Sequence, residues 1–280
     1  MRRNMANADR AFTMIELLVV IVMLVILAAI LLGTPIFKPH PGPKWVNCME
    51  NLKQLGTGWI MYSDDNNGAL PRAARFASSQ TNVWALGNAQ TVPQDTTRYG
   101  QVEPGVLDAT NIHALTQGVL FIYVKNPLVY HCPQDKRVVD GVPYVRSYSM
   151  NNWMNGQSPA AWIPGLNASN RVYQKDVDIP RPDSRFVFID EDPDSINQTM
   201  FTVIVDPGKY FTHIPSRNHG DNFTRRYILS FADGHVEASK FLCNDTVEWN
   251  PSKARLPEIA SDGTTNQDLV KLRSEAYAPW

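Results

Sequence analysis

The sequence predicts an α+β protein in which a long apolar N-terminal helix is followed by an amphipathic helix packed on an antiparallel β-sheet with long loops. Three observations predict this architecture. An apolar run begins near residue 12, hydrophobic residues recur at helical spacing from residue 45, and strand-like runs flank an Asp-Gly pair at residue 233. The apolar run also separates a short leader from the rest of the chain.

The apolar run predicts a transmembrane helix over residues 12–34. No charged or strongly polar side chain occurs in residues 17–33. A helix rises about 1.5 Å per residue, so residues 12–33 extend over roughly 33 Å, close to the hydrocarbon thickness of a bilayer. Glu16 lies inside the start of the run, where an ionisable side chain usually has a function. We therefore expect Glu16 to have a function in addition to membrane anchoring.

The charges and prolines around this helix predict its topology and its end. Residues 1–11 contain three arginines and one aspartate, and basic residues favour the cytoplasmic side. Four prolines in residues 35–43 interrupt the helix, because proline lacks an amide donor and clashes with the preceding turn. The sequence therefore predicts a leader at 1–11, a hinge at 35–43 and an extracytoplasmic head at 44–280. A formal net charge of −1 argues against a nucleic-acid partner.

The head begins with a predicted amphipathic helix that ends in a polar run at residues 63–68. Its hydrophobic positions recur at three- and four-residue steps, as expected for one buried helix face: Trp45, Met49, Leu52, Leu55, Trp59 and Tyr62.

Strands are predicted further along the head. Residues 186–191 read as a buried strand that enters an acidic loop, and residues 227–231 and 235–238 flank Asp233-Gly234. This pair favours a tight hairpin turn because both residues accept positive φ. We expect a terminal hairpin, with His219 hydrogen-bonded to its turn. Residues 72–117 and 155–182 are rich in turn formers and predict long loops.

The N terminus resembles the processing signal of type IV prepilins and type II secretion pseudopilins. The resemblance rests on Ala11, Phe12, Thr13 and Glu16 between a basic leader and an apolar helix, with Ala11 in place of the usual Gly. It implies that a prepilin peptidase cuts between Ala11 and Phe12 and methylates the new terminus. It also implies that Glu16 meets the terminus of a neighbouring pilin-like subunit, since a buried charge needs a partner.

The head resembles a subgroup of bacterial prepilin-type proteins with a C-terminal His-x9-Asp-Gly motif. Here the motif is His219, Asp233 and Gly234, with thirteen residues between the histidine and the aspartate. Further matches surround Cys48 and Cys132. This resemblance implies a pilin-like head in which the motif residues have a structural role.

Other targeting signals fit the N terminus less well. A secretory signal has a shorter apolar region followed by a small-residue cleavage site, whereas residues 33–37 read Gly-Thr-Pro-Ile-Phe. A simple signal anchor explains the apolar length and leaves Phe12, Thr13 and Glu16 unexplained.

No familiar catalytic motif occurs, so the sequence predicts neither an enzyme nor a required cofactor. One set of residues has metal-ligand types without a known ligand spacing, and surface polar residues around a hairpin are the favoured interpretation. This set consists of His213, His219, Asp221, Asp233 and His235.

Two acidic clusters are weak calcium candidates, although neither has the spacing of a calcium-binding hand loop and solvated turns are favoured. They contain Asp64 with Asp65 and Asp190 with Asp192. The three cysteines leave two alternatives open. A Cys48–Cys132 disulfide would tie the amphipathic helix to the head in an oxidising compartment, or all three cysteines are reduced and buried.

The sequence as a whole predicts a pseudopilin-like structural subunit of the bacterial inner membrane, assembled into a type II secretion or type IV pilus-like filament. Its expected partners are prepilin peptidase and other pilin-like subunits. Two alternatives stay open: a membrane-anchored module that binds polysaccharide through exposed aromatic side chains, and an anchored hydrolase using His219, Asp221 and Asp233.

Overall fold

The structure is a computed structural model in which the chain divides into two compact units, Met1–Gly42 and Pro43–Trp280. It describes residues 13–33, 45–73, 81–89, 102–103, 105–161, 163–206, 208, 211, 213–217, 219, 225–249, 259 and 263–278. The predicted leader, the cleavage point at Ala11 and Phe12, and the predicted hinge lie outside these residues. The boundaries predicted for the four segments of the chain stay a prediction.

The first unit contains helix α1, Met14–Gly33. The large apolar side chains of residues 14–27 are exposed on every side of this helix, from 47% at Val22 to 88% at Met14. The helix therefore has no polar face. Taken over the described residues alone, no helix combines the length and apolarity that a bilayer crossing requires, and the predicted span stays a prediction.

The second unit begins with α2, Trp45–Asp65, which matches the predicted amphipathic helix within one residue at its start. Its buried face includes Leu52, Leu55 and Trp59, as the spacing predicted. Shorter helices follow: α3 (His113–Thr116), α4 (Phe121–Val124), α5 (Asn244–Glu248) and α6 (Gln267–Ala276), with 3-10 turns at Asp108–Thr110, Pro127–Tyr130, Pro159–Ala161, Asp176–Asp178 and Pro182–Ser184.

Within the described residues, the strands form a two-stranded and a five-stranded sheet. In the larger sheet the strands lie in the order β5-β3-β4-β6-β7, and β5 runs parallel to β3 while the other neighbours are antiparallel. The strands are β1 (Val138–Val139), β2 (Val142–Pro143), β3 (Tyr148–Asn151), β4 (Phe186–Asp190), β5 (Met200–Phe201), β6 (Arg226–Phe231) and β7 (Val236–Lys240).

The predicted antiparallel pairing is found for β3–β4, β4–β6 and β6–β7, but the pairing of β5 with β3 is parallel, so the larger sheet is mixed. The chain leaves β4 through the acidic loop, passes the position of β3 and pairs with the far edge of β3. Because β4 is antiparallel to β3 and the loop reverses the chain once more, β5 runs parallel to β3.

The core lies where α2 packs on the sheet, in contact with β4, β6 and β7, while α6 also contacts β4. Every residue of β4 is buried. Successive side chains of a strand point to opposite faces, so both faces of the sheet are covered at β4. The prediction of a helix packed on a sheet is confirmed.

The β6–β7 hairpin has its turn at Asp233-Gly234, as predicted, and Gly234 has a positive φ of 86°. The hairpin is not terminal, however, because α5 and α6 follow it. Asp233 accepts hydrogen bonds from the backbone amide of His235 (3.0 Å) and contacts its Nδ1 at 2.6 Å, which fixes the turn.

Two glycines of α2 give a matched test of this packing. A Cβ on Gly58 would lie 2.8 Å from Cγ2 of Val124, whereas a Cβ on Gly56 would meet Ser230 at an ordinary 3.5 Å. Alanine favours a helix over glycine by roughly 0.8–1.0 kcal/mol, but overpacking against a stiff β-branched side chain costs about 1–3 kcal/mol. We expect Gly56→Ala to raise the free energy of unfolding. The free energy of unfolding of Gly58→Ala should be about 1–3 kcal/mol lower than that of Gly56→Ala. Urea unfolding of both variants measures the difference, and equal stabilities would contradict the packing of α2 against α4.

Candidate functional site

The first candidate site is the start of α1. The Thr13 amide and hydroxyl both donate to Oε2 of Glu16, at 2.9 and 2.7 Å, and the Glu16 amide donates to the Thr13 hydroxyl oxygen at 3.3 Å. This reciprocal arrangement is a capping box, which satisfies amide groups that have no partner inside the helix. The spacing Thr-x-x-Glu before an apolar run is its sequence signal, and the sequence interpretation missed it. Glu16 therefore has a local structural role.

The second candidate site is a buried cluster formed by Cys48, Cys132, Asp190 and His219. Cys48 lies near the start of α2, Cys132 follows the 3-10 turn at Pro127–Tyr130, Asp190 ends β4, and His219 precedes β6. Each residue is at most 1% exposed. One potential ligand atom from each side chain lies within 4.8 Å of the others. Four segments that are far apart in the sequence therefore meet at one point inside the head.

The two cysteines of the cluster are joined by a disulfide, with their Cα atoms 5.2 Å apart, within the usual range for such bonds. The bond ties α2 to the segment after the 3-10 turn. It joins the same pair that the sequence singled out. Cys243 is half-buried and is not part of this bond.

The histidine and the aspartate lie against the disulfide. Nε2 of His219 is 3.2 Å from Sγ of Cys132 and 3.0 Å from Oδ2 of Asp190. The contact with Asp190 has the distance of an ion pair without hydrogen-bond geometry, and neither this Oδ2 nor Nδ1 of His219 forms a hydrogen bond to the described residues. Burial raises the pKa of Asp190, although the neighbouring His219 opposes that shift.

Polar contacts outside the cluster hold the segment that carries Cys132. Asn51, one turn after Cys48, donates to the His131 carbonyl at 2.9 Å. The Cys132 amide donates to the Ser147 hydroxyl oxygen (3.1 Å), and that hydroxyl donates to Asp135 (2.8 Å). The cluster is thus fixed by its surroundings as well as by the disulfide.

The prediction that His219 bonds to the Asp233-Gly234 turn is wrong. His219 forms an isolated antiparallel bridge with Arg226, whose amide donates to its carbonyl at 2.9 Å. Arg226 begins the six-residue strand β6 and Asp233 follows its end. A strand rises about 3.4 Å per residue, so the two parts of the His…Asp-Gly motif lie roughly 20 Å apart.

The metal set and the hydrolase set predicted from the sequence therefore do not come together. His219 and Asp233 lie at opposite ends of β6, and Asp221 is outside the described residues. His213 belongs to a different contact, since its Nδ1 lies 2.6 Å from Oε1 of Glu191. The contacts of His235 are local, since its Nδ1 lies 2.6 Å from Oδ1 of Asp233 and its ring stacks on Phe231.

The carboxylates of the calcium candidates have other partners. Arg217 binds both oxygens of Asp192, with Nε and Nη2 at 2.8 Å, while Asp190 faces His219. Asp65 accepts a hydrogen bond from the Tyr123 hydroxyl at 3.0 Å, and Asp64 is exposed. Calcium binding at these residues stays a prediction.

The exposed surface of the head bears on the polysaccharide alternative. Its exposed large hydrophobic residues include Met61, Ile122 and Leu128, and among the described residues no Trp, Tyr or Phe is exposed. Trp59, Trp84 and Trp153 are instead part of the core. The described part of the head therefore offers no open aromatic groove.

Comparison with known proteins gives one match. Residues 6–32 match the family model of the prokaryotic N-terminal methylation motif. The chain thus carries a prepilin-like signal, which indicates a membrane-anchored or pilus-associated protein. No curated protein and no solved structure matches the chain. The α+β architecture behind an N-terminal helix fits a pilin-like fold.

The contacts of Asp135 predict a loss of stability in acid. Burial alone would raise the pKa of Asp135, but Arg137, which binds the carboxylate at 2.6 and 3.0 Å, and Ser147 lower it overall. A carboxyl group with a lowered folded-state pKa stabilises the fold above its unfolded pKa, about 3.9, and this contribution is lost as the pH falls through the folded value. We expect Asp135→Asn to be less stable than the wild type at neutral pH and to lose less stability below about pH 4.

Urea unfolding at a series of pH values measures both effects. Asp140→Asn is the matched control, because Asp140 is exposed in the neighbouring β1–β2 turn. Parallel pH profiles for the wild type and Asp135→Asn would show that the Asp135–Arg137 contact does not stabilise the fold.

Proposed function

We propose that this chain is a pseudopilin-like structural subunit, processed by prepilin peptidase and assembled through α1 into a type II secretion or type IV pilus-like filament. The match of residues 6–32 to the N-terminal methylation motif carries the proposal. This motif implies peptidase processing and assembly with other pilin subunits in general.

The surface of α1 supports assembly through this helix. Apolar side chains are exposed all around residues 14–27. A helix that is apolar on every side needs lipid or protein around it, because water solvates none of its faces well. In our proposal, α1 lies in the inner membrane with the basic leader in the cytoplasm, and neighbouring α1 helices replace the lipid after assembly.

Glu16 has two successive partners in this proposal. Within one chain its carboxylate accepts hydrogen bonds from the Thr13 amide and hydroxyl. These bonds lower the cost of placing a carboxylate in an apolar environment but leave its charge uncompensated. The methylated amino terminus of Phe12 from a neighbouring subunit would supply the opposite charge and set the register between the subunits.

The head is proposed to be structural and to lie outside the cytoplasm. The Cys48–Cys132 disulfide is typical of oxidising compartments. The motif residues of the proposed His-x9-Asp-Gly subgroup have structural contacts, since Gly234 forms the hairpin turn and His219 pairs with Arg226. The separation of His219 from Asp233 does not favour a hydrolase, and the aromatic side chains of the described residues, which are buried or half-buried, do not favour a polysaccharide module.

The processing step predicts a defined N terminus. In cells that contain a prepilin peptidase, we expect the mature chain to begin at a methylated Phe12, as measured by intact mass and N-terminal sequencing. Ala11→Trp should remain uncut because the resemblance implies a small residue before the cleaved bond, whereas Ala11→Gly should be processed. An uncut wild-type chain, or a cut beyond Gly33, would contradict the proposal.

The two roles of Glu16 predict that three variants separate its charge from its part in the capping box. Glu16→Gln keeps a side-chain acceptor for the capping box and removes the charge, Glu16→Ala removes both, and Thr13→Ala removes the threonine cap and keeps the charge. We expect both Glu16 variants to be processed but absent from sheared filament fractions, whereas Thr13→Ala still assembles. Loss of a cap costs only about 1 kcal/mol. Normal assembly of Glu16→Gln would show that the charge of Glu16 is not needed.

A further inference from the structure

We propose that Cys48, Cys132, His219 and Asp190 bind a divalent metal ion of the zinc class while the two cysteines are thiols, and that metal binding and disulfide formation exclude one another. The inference rests on the geometry of the buried cluster. It does not depend on processing or filament assembly.

The donor types suit zinc. Zn²⁺ is bound by cysteine sulfur, histidine nitrogen and carboxylate oxygen, usually with four ligands in a tetrahedron. Two thiolates with one imidazole and one carboxylate form a borderline-soft set, which distinguishes the site from the all-oxygen sites of calcium and magnesium. Among the described residues, this cluster alone brings together three or more histidine, cysteine or acidic side chains at metal-binding distances.

Two distances within the cluster are a few tenths of an ångström shorter than the edges of such a tetrahedron. With Zn–N and Zn–O bonds of about 2.0–2.1 Å and Zn–S bonds of about 2.3 Å, the nitrogen–oxygen edge is about 3.4 Å and the nitrogen–sulfur edge about 3.5 Å. The corresponding distances here are 3.0 Å from His219 Nε2 to Asp190 Oδ2 and 3.2 Å from His219 Nε2 to Cys132 Sγ. All four ligand atoms lie within 4.8 Å of one another, and reduction of the disulfide lets the sulfur atoms separate to a sulfur–sulfur edge of about 3.8 Å.

The burial of the cluster favours the binding of a cation. All four residues are at most 1% exposed. After reduction the site holds a carboxylate and two thiols that ionise readily beside a metal, and buried negative charge is costly unless a cation compensates it. Oδ2 of Asp190 lacks a hydrogen-bond partner among the described residues, so it is available as a ligand.

The surrounding structure holds the four ligands in place. The Ser147 hydroxyl fixes the backbone at Cys132, and Arg226 pairs with the backbone of His219. Asp190 lies in the paired part of β4, opposite Tyr148. Cys48 on the packed helix α2 and Asp190 on a paired strand are more precisely placed than ligands on loops.

The two states of the sulfur atoms differ by two electrons. Disulfide formation joins Sγ of Cys48 to Sγ of Cys132, releases two protons and passes two electrons to a thiol-oxidising disulfide, which is reduced to a dithiol. Metal binding also displaces two thiol protons, but it forms two metal–sulfur bonds and leaves the sulfur atoms reduced. A sulfur atom in the disulfide has no thiolate to donate, and a sulfur atom on the metal is shielded from oxidation.

Cobalt titration of the full-length chain in detergent tests the proposal. After reduction with a phosphine under anaerobic conditions, we expect one equivalent of Co²⁺ to give the intense visible bands of a tetrahedral site together with thiolate-to-cobalt charge transfer. Zn²⁺ should displace the cobalt. The oxidised chain should give neither signal. The proposal is overturned if the reduced chain gives only weak octahedral bands, or if the oxidised chain gives the same spectrum.

Variants assign the ligands. Cys48→Ser should abolish the charge-transfer band of the tetrahedral site, and His219→Gln and Asp190→Asn should each weaken Co²⁺ binding by at least about tenfold. Cys243→Ser is the matched control, because Cys243 lies outside the cluster and should leave titration and spectrum unchanged. A cobalt signal that is lost in Cys243→Ser and kept in Cys48→Ser would overturn the assignment.

Two measurements use only the wild-type chain, so they do not depend on whether a variant folds. Zinc X-ray absorption should show two sulfur ligands at about 2.3 Å and two nitrogen or oxygen ligands at about 2.0–2.1 Å. Saturating Zn²⁺ should also slow the oxidation of Cys48 and Cys132 by a small-molecule disulfide. The oxidation rate is measured by alkylation of the remaining thiols and peptide mass spectrometry. Zinc with no sulfur ligand, or an oxidation rate unchanged by zinc, would overturn the proposal.

Discussion

The head depends on the Cys48–Cys132 bond, which attaches α2 to the segment after the 3-10 turn at Pro127–Tyr130. The two cysteines are 84 residues apart. In the chain-entropy description, a disulfide that closes a loop of that length stabilises the fold by about 4.5 kcal/mol, because it reduces the entropy of the unfolded chain. Asp190 and His219 meet the same bond from β4 and from the segment before β6. The buried cluster thus joins α2, the end of β4 and the entry to β6. It also brings together the cysteine, histidine and aspartate side chains of these elements.

The head and α1 differ in how far their apolar side chains are shielded from solvent. The head covers β4 on both faces, and its described aromatic residues are buried or half-buried. Helix α1 exposes apolar side chains all around residues 14–27 and depends on what surrounds it. Glu16 lies at the start of that surface and already accepts hydrogen bonds from Thr13. The capping box makes the carboxylate compatible with the helix start, so its charge remains available to a second chain.

Local patterns predicted the local structure. Helical spacing predicted α2, a continuous apolar run predicted β4, and the turn preference of Asp-Gly predicted the β6–β7 hairpin. The parallel pairing of β5 with β3 was missed because two-residue β5 carries no periodicity and its partner is set by the path of the acidic loop. The cluster was missed because its residues lie at positions 48, 132, 190 and 219, and no local spacing relates a helix, a turn, a strand end and a bridge.

The structure fixes the positions of His219 and of Asp233-Gly234 by separate sets of contacts. Asp233-Gly234 must follow β6 directly, because the turn closes the hairpin with β7. His219 is fixed independently, by its backbone bridge to Arg226 at the start of β6 and by its contacts with Cys132 and Asp190. His219 therefore belongs to the buried cluster and Asp233 to the hairpin, and strand β6 lies between the two positions.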